Sequence, residues 1–324
     1  MKKYLESEMN NAPLLTPVLF LIFNRPDTTQ QVFNEIRKTR PNKLFIAADG
    51  PRKNNSNDVL LCQHTRDIVN LIDWDCEVHT LFRNENLGCK LAVSSAIDWF
   101  FSHVDEGIIL EDDCLPDQSF FLFCQELLER FRNDERIMMI TGTNYLFNQF
   151  SPEESYFFSK YYIIWGWATW KRAWELYDIS MANWPKFQKT AQLEWIYSDP
   201  RLINWYTTMF QMAYDEKIDT WDIQWWYSCI FQNGLCIVPK HNLISNLGLY
   251  GHFSKSGEGY EEYIQMPIIS IDATHLTHPS NVIENGVFDK ITIHRLFYKP
   301  SGIKYKLITF VNKFLNKISI KISY

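Results

Sequence analysis

The run I-I-L-E-D-D-C-L-P at residues 108–116 sets three acids, Glu111, Asp112 and Asp113, directly behind a short apolar segment. Adjacent carboxylates repel one another, and a fold rarely places three at the end of a buried strand unless a cation or a substrate hydroxyl compensates them. All-oxygen donors suit Mg2+ or Mn2+, which keep positions open for substrate phosphates when only one or two carboxylates hold them. The competing reading is a solvated helix N-terminus, where the helix dipole favours acids. No G-x-x-x-x-G-K-[ST], G-x-G-x-x-G, H-E-x-x-H or G-x-S-x-G occurs in the chain, so a diphosphate bound here would rely on a metal. His275 and His278 read as a structural pair in a loop.

The elements that must position the acids alternate short strands with amphipathic helices. Residues 18–23 (VLFLIF) and 44–48 (LFIAA) predict strands, 77–82 alternate as a third, 107–110 (GIIL) form a fourth and 137–142 (IMMITG) a fifth. Between them lie a turn at Asn24-Arg25-Pro26 and a helix capped by Asp27 that carries Val32, Phe33 and Ile36. A turn at residues 84–88 precedes a helix over about 89–104, and a further helix covers about 117–132. Strands that are apolar throughout and separated by helices predict a doubly wound α/β fold with a parallel sheet covered on both faces. Ligands of such sheets sit beyond the carboxyl ends of the strands, which points to Asn24, Arg25, Asp49 and the acidic triplet.

With 46% hydrophobic and 22% charged residues, the 324-residue chain has a globular composition, not that of a disordered, collagen-like or disulfide-scaffold protein. A net charge of −6 offers no overall attraction for nucleic acid. Ten of the twelve Trp fall between Trp165 and Trp226, a stretch expected to form aromatic-rich helices. Aromatic rings stack on sugar faces, but at helical spacing they are also ordinary core. A short strand ends at Pro239, and the glycines at 248, 251, 257 and 259 predict a mobile loop. Seven Cys with no C-x-x-C read as reduced thiols. From Lys299 onward there are six Lys and no acid, with apolar residues at helical spacing from Ile303 to Ile318. This tail reads equally as a helix on an anionic membrane surface or one docked on its own domain. No apolar stretch has signal or membrane-spanning length, so the expectation is a cytoplasmic protein, peripheral at most to the inner membrane face.

The order of these features resembles a GT-A glycosyltransferase, in particular the group of N-acetylglucosaminyltransferase I and protein O-mannose N-acetylglucosaminyltransferase, in which E-D-D replaces the commoner D-x-D. The similarity runs over roughly residues 17–260. It is carried by Asn24-Arg25, Asp49, EDD with CLPDQSFF, WGWATWKRAWEL, Trp221-Asp222 and the P-K-x-x-x-I-S-N-L-G-x-x-G loop. The resemblance implies an inverting, Mn2+-dependent (or Mg2+-dependent) transfer of a sugar, GlcNAc or a relative, from a UDP-sugar to a glycan or lipid-linked glycan acceptor in surface-polysaccharide synthesis. It implies that Asp113 holds the metal, Asp112 meets the ribose and Glu111 the donor sugar. Asn24, Arg25 and Asp49 lie around the nucleotide, with Asp49 accepting from uracil. Ser245 and His252, with Lys255, belong to a loop over the diphosphate. Asp222 becomes the general base, with Trp221, Trp225 and Trp226 at the acceptor. Here Ile223 and Gln224 stand before Trp225 where the family has a single residue, which leaves Asp219 as the alternative base. The implied organisation is a nucleotide-sugar half over 1–145, an acceptor half over 146–298 and a basic tail over 299–324. Two other functions remain open, a sugar-nucleotide pyrophosphorylase and a carbohydrate-binding protein without catalysis.

Overall fold

A computed structural model of the protein describes residues 13–146, 150, 152–248, 263 and 265–297. Its strands are β1 (Val18–Ile22), β2 (Lys43–Ala48), β3 (Glu77–Phe82), β4 (Glu106–Glu111), β5 (Cys114–Pro116), β6 (Ile137–Thr141), β7 (Tyr156–Ser159), β8 (Trp167–Trp170), β9 (Leu235–Pro239) and β10 (Ile244–Asn246). Eight of them form one twisted sheet in the order β3-β2-β1-β4-β8-β6-β9-β7, while β5 and β10 pair separately. β3, β2, β1 and β4 run parallel, and β8 and β7 run antiparallel to their neighbours. The fold is α/β, with a mostly parallel Rossmann-like sheet flanked by helices.

Period-two alternation explains how one strand feeds two cores. Leu19 and Leu21 of β1 join the cluster containing Phe45, Ala96, Phe100 and Trp167, whereas Val18, Phe20 and Ile22 join the opposite cluster with Val32, Phe33, Ile46 and Phe120. Helix Gly88–Phe101 covers the first face, and helices Pro26–Thr39 and Gln118–Arg130 cover the second.

The parallel sheet expected here is interrupted, because β8 is inserted antiparallel between β4 and the fifth strand, β6. The segment W-A-T-W lies in the stretch expected to form aromatic-rich helices, yet it is a strand. Trp167 faces one core while Ala168 and Trp170 face the other. Trp174 follows in a short helix, Lys171–Trp174. The helix after β1 begins at Pro26, with Arg25 at its cap position and no side-chain cap; Asp27 is in its first turn. Helix Ser56–Arg66, strand β7 and the short pair β5–β10 carried too little periodicity to be read from sequence.

Candidate functional site

Register aligns the carboxyl ends of three neighbouring strands: Leu21 stands beside Ala47 and Glu111, and Ile22 beside Ala48. The chain therefore delivers Phe23 to Arg25, Asp49, and Glu111 to Asp113 to one edge of the sheet. Phe23, Arg25, Asp49, Glu111 and Asp112 line a cleft of about 350 Å³, together with Arg52 and Asn86, whereas Asn24 and Asp113 stand behind its wall.

Arg25 is the cation that faces the acidic triplet closely among the described residues. Arg25 donates to Asp113 Oδ2 at 2.6 Å and approaches Asp112 Oδ1 at 3.4 Å, while the Phe23 N–H donates to Asp112 Oδ2 at 3.2 Å. Withdrawal from bulk water, followed by repulsion from Asp113, raises the Asp112 carboxyl above its ordinary range. Burial and the charges of Asp113, Asp112 and Asp222 raise Glu111 in the same direction. Three successive carboxylates with Arg25 as their close partner among the described residues leave a negative balance at this edge. Its all-oxygen donors fit a hard divalent cation held by part of its coordination shell. Among the described residues no three His, Cys, Asp or Glu groups converge as a complete cage, so Asp113 and its neighbours would have to share such an ion with a ligand's oxygens.

Asp49 is engaged differently from the expectation of a free base-reading acceptor. Its carboxylate accepts from the N–H groups of Gly50 (2.8 Å), Leu87 (2.9 Å) and Gly88 (3.2 Å) and from Asn86 Nδ2 (2.8 Å). Both oxygens are thereby committed to the turn after β3. Asn24 is likewise turned inward, donating to Asp58 Oδ1 at 2.8 Å. Asp58 has no exposed side-chain surface and also accepts from Arg52 and Asn55, so Arg52 is held at the cleft mouth with its guanidinium over Phe23.

The two candidate bases separate clearly. Asp219 accepts from the Cys89 and Lys90 N–H groups at 3.0 and 2.9 Å and so caps helix Gly88–Phe101. Gly88 at φ +79° permits this approach, since a Cβ there would lie 2.6 Å from Asp219 Oδ2. Asp222 opens helix Asp222–Phe231 and accepts on one oxygen, Oδ1, from Thr220 Oγ1 and the Ile223 N–H; burial raises its carboxyl above the ordinary range. Its charge contributes to the upward shift of Glu111.

The tryptophans expected at the acceptor are mostly interior. Trp221 stacks on Trp167 with ring centroids 5.7 Å apart, and Trp225 packs against Trp174 at 5.2 Å; both are fully buried. They complete the core under the sheet instead of forming an open platform, because the segment that was expected to be helical enters the sheet as β8. Trp226 is half-buried against Trp205. Ser245 lies in β10 opposite Leu115, and the Leu247 N–H donates to the Asp113 carbonyl at 2.6 Å, so the start of the glycine-rich loop adjoins the triplet. His252 and Lys255 lie outside the described residues, as does the tail over 299–324.

Sequence reasoning passed over Arg52, Arg83, Asn86 and Cys89, all of which line the cleft. Arg83 was accessible to the rule already applied, since it directly follows β3. The seven cysteines are all free thiols, five of them buried and Cys89 exposed. His278 bonds the Tyr156 hydroxyl at 3.1 Å and His275 bonds Asp272, in keeping with structural roles. No described helix is long and apolar enough to cross a membrane.

No protein-family model and no curated protein matches the chain. Among solved structures, the inositol-1-phosphate CTP transferase from T. maritima is similar over 50% of this chain and 74% of its own, with 11% identity and a TM-score of 0.30. A likeness of that size adds nothing to the sheet order as a description of the fold.

Proposed function

We propose that the protein is an inverting, metal-dependent glycosyltransferase of the GT-A type. Its donor would be a UDP-sugar, carrying GlcNAc or a relative, and its acceptor a hydroxyl of a glycan or lipid-linked glycan in surface-polysaccharide synthesis. The observation that carries the reading is the placement of Glu111, Asp112 and Asp113 in succession at the carboxyl edge of the sheet, beside a cleft lined by Glu111, Asp112 and Arg25, with Arg25 paired to Asp112 and Asp113.

When bound, Mn2+ or Mg2+ held by Asp113 would supply Lewis-acid compensation for the charge that grows on a leaving diphosphate. Arg25, Arg52 and Arg83 add fixed positive charge around the cleft. Asp112 and Glu111 orient ribose and donor sugar. Asp222 has one carboxylate oxygen without a protein partner among those described and a proton affinity raised by burial, the properties of a group that takes the proton of an attacking hydroxyl. Asp219, spent on its helix cap, is a positioning residue. Residues up to 145 would bind the donor, those to 298 the acceptor, and the basic tail would hold the protein at an anionic inner-leaflet surface. Deleting residues 299–324 should then abolish co-sedimentation with anionic vesicles, and unchanged co-sedimentation refutes that placement.

The alternatives fit less well. A pyrophosphorylase needs a glycine-rich loop after the first strand, where this chain enters a helix at Pro26. A carbohydrate-binding protein without catalysis needs an open aromatic face, which Trp221 and Trp225 do not present. The test is calorimetry and turnover on two variants. Asp113→Ala should lose Mn2+-dependent UDP binding, whereas Asp222→Ala should keep it and lose transfer to acceptor. Normal turnover by Asp222→Ala would move the base elsewhere, and metal-independent UDP binding by the wild type would refute the metal role of the triplet.

A further inference from the structure

If Asp49 is committed to the protein's own donors, the base of a nucleotide in the cleft needs another reader. Asn86 stands beside it. Its Nδ2 donates to Asp49 Oδ2 at 2.8 Å and to the Gly50 carbonyl at 2.9 Å. Both partners are acceptors, so the amide cannot be turned the other way, and both of its N–H bonds are used. What Asn86 retains is one carbonyl oxygen at the wall of the cleft.

That oxygen is rigidly carried. Gly50 runs so close to the backbone of Glu85 that a Cβ would collide with it, which holds the turns after β2 and β3 in direct contact. Arg66 Nη2 donates to the carbonyls of Asp49 (3.0 Å) and Arg83 (2.6 Å), its guanidinium lying over Phe82. The Leu87 and Gly88 N–H groups close the loop onto Asp49. A preorganised acceptor costs little ordering entropy on binding, and it rejects a ligand that offers it a second acceptor, because a buried polar group is then left unpaired.

We propose that Asn86 Oδ1 is the specificity-determining contact for the base, accepting from a ring N–H, so that the site takes uracil and rejects cytosine, whose corresponding ring nitrogen is itself an acceptor. This rests on the reading of the cleft as a nucleotide site. Asp49, on this assignment, is the positioning residue that holds Asn86 and the turn.

Calorimetry on the full chain with Mn2+ tests it, using UDP, CDP, N3-methylated UDP and inorganic pyrophosphate as probes. Wild-type protein should bind UDP about ten-fold or more tightly over both CDP and the N3-methylated nucleotide, the effect of one unsatisfied polar contact. Asn86→Ala should bring UDP and CDP to near-equal affinity while pyrophosphate binding stays unchanged. Equal wild-type affinity for UDP and its N3-methylated form overturns the assignment without recourse to any variant. So does a parallel loss of UDP, CDP and pyrophosphate in Asn86→Ala, which would make Asn86 a brace of the turn only. If the wild type binds no nucleotide with Mn2+, the reading of the cleft itself falls, and this inference with it.

Discussion

Asp58 is fully enclosed yet ionised, because Arg52, Asn24 and the Arg52 N–H all donate to it, and these hydrogen bonds hold its carboxyl down at about 2. Its folded-state value lies below the unfolded one, so the stability it contributes is complete above about pH 4 and is lost as pH falls through 2. In acid titration followed by circular dichroism, Asp58→Asn should flatten that limb and cost about 2 kcal/mol at neutral pH, the worth of charge-assisted hydrogen bonds. An unaltered acid limb would show that the Arg52–Asp58 pair does not control it. Gly50 makes a second prediction at this scale. Gly50→Ala must push the turn after β3 away from Asp49, at roughly 1–3 kcal/mol by analogy with overpacking, read as a lower denaturation midpoint with an unchanged slope. Asp49 and the acidic triplet were legible because a simple rule places ligand contacts just after parallel strands. That Asp49 faces its own backbone was not, since hydrogen-bond partners distant in the chain leave no trace in local spacing.

Helix Gly88–Phe101 owes its start to a residue 130 positions away, for Asp219 supplies the cap that its own sequence lacks. Asp219→Ala should therefore lower stability by about 1 kcal/mol while turnover persists; loss of turnover at full stability would return Asp219 to the role of base. Another long-range pin is Arg172, stacked 4.4 Å over Trp170, which donates to the carbonyls of Phe131, Arg132, Asp134 and Ile137. It ties the end of helix Gln118–Arg130 to the start of β6. Lysine has no planar fork, so Arg172→Lys should cost on the order of 2 kcal/mol in urea denaturation, and a neutral result would remove Arg172 from this account. Strands β1 to β4 and β6 and helices Pro26–Thr39, Gly88–Phe101 and Gln118–Arg130 were visible through their periodicities. β8 was not, because Trp residues three apart suit one face of a helix, and a strand buried on both faces shows no alternation to contradict that; only the place open between β4 and β6 decides.

At the scale of the whole molecule, two cores sandwich one sheet whose strands come from both sides of residue 145. A ligand bound at the carboxyl edge contacts loops anchored on both faces, so binding should stabilise the fold globally. UDP with Mn2+ at about 100 times its dissociation constant should add about 2.7 kcal/mol, seen as a higher thermal midpoint, and Asp113→Ala should remove the shift. A midpoint raised equally by UDP without metal would contradict the proposed site. Residue order alone determined the α/β class, the strands that open the chain and the acidic triplet at the end of β4, because each is written in local period and composition. Tertiary structure alone decided that the W-A-T-W segment is a central strand, that Trp221 and Trp225 are core, and that Asp49 and Asp219 are spent on backbone N–H groups. Those outcomes depend on which distant segment fills a given space or offers a given donor, and no window of neighbouring residues contains that information.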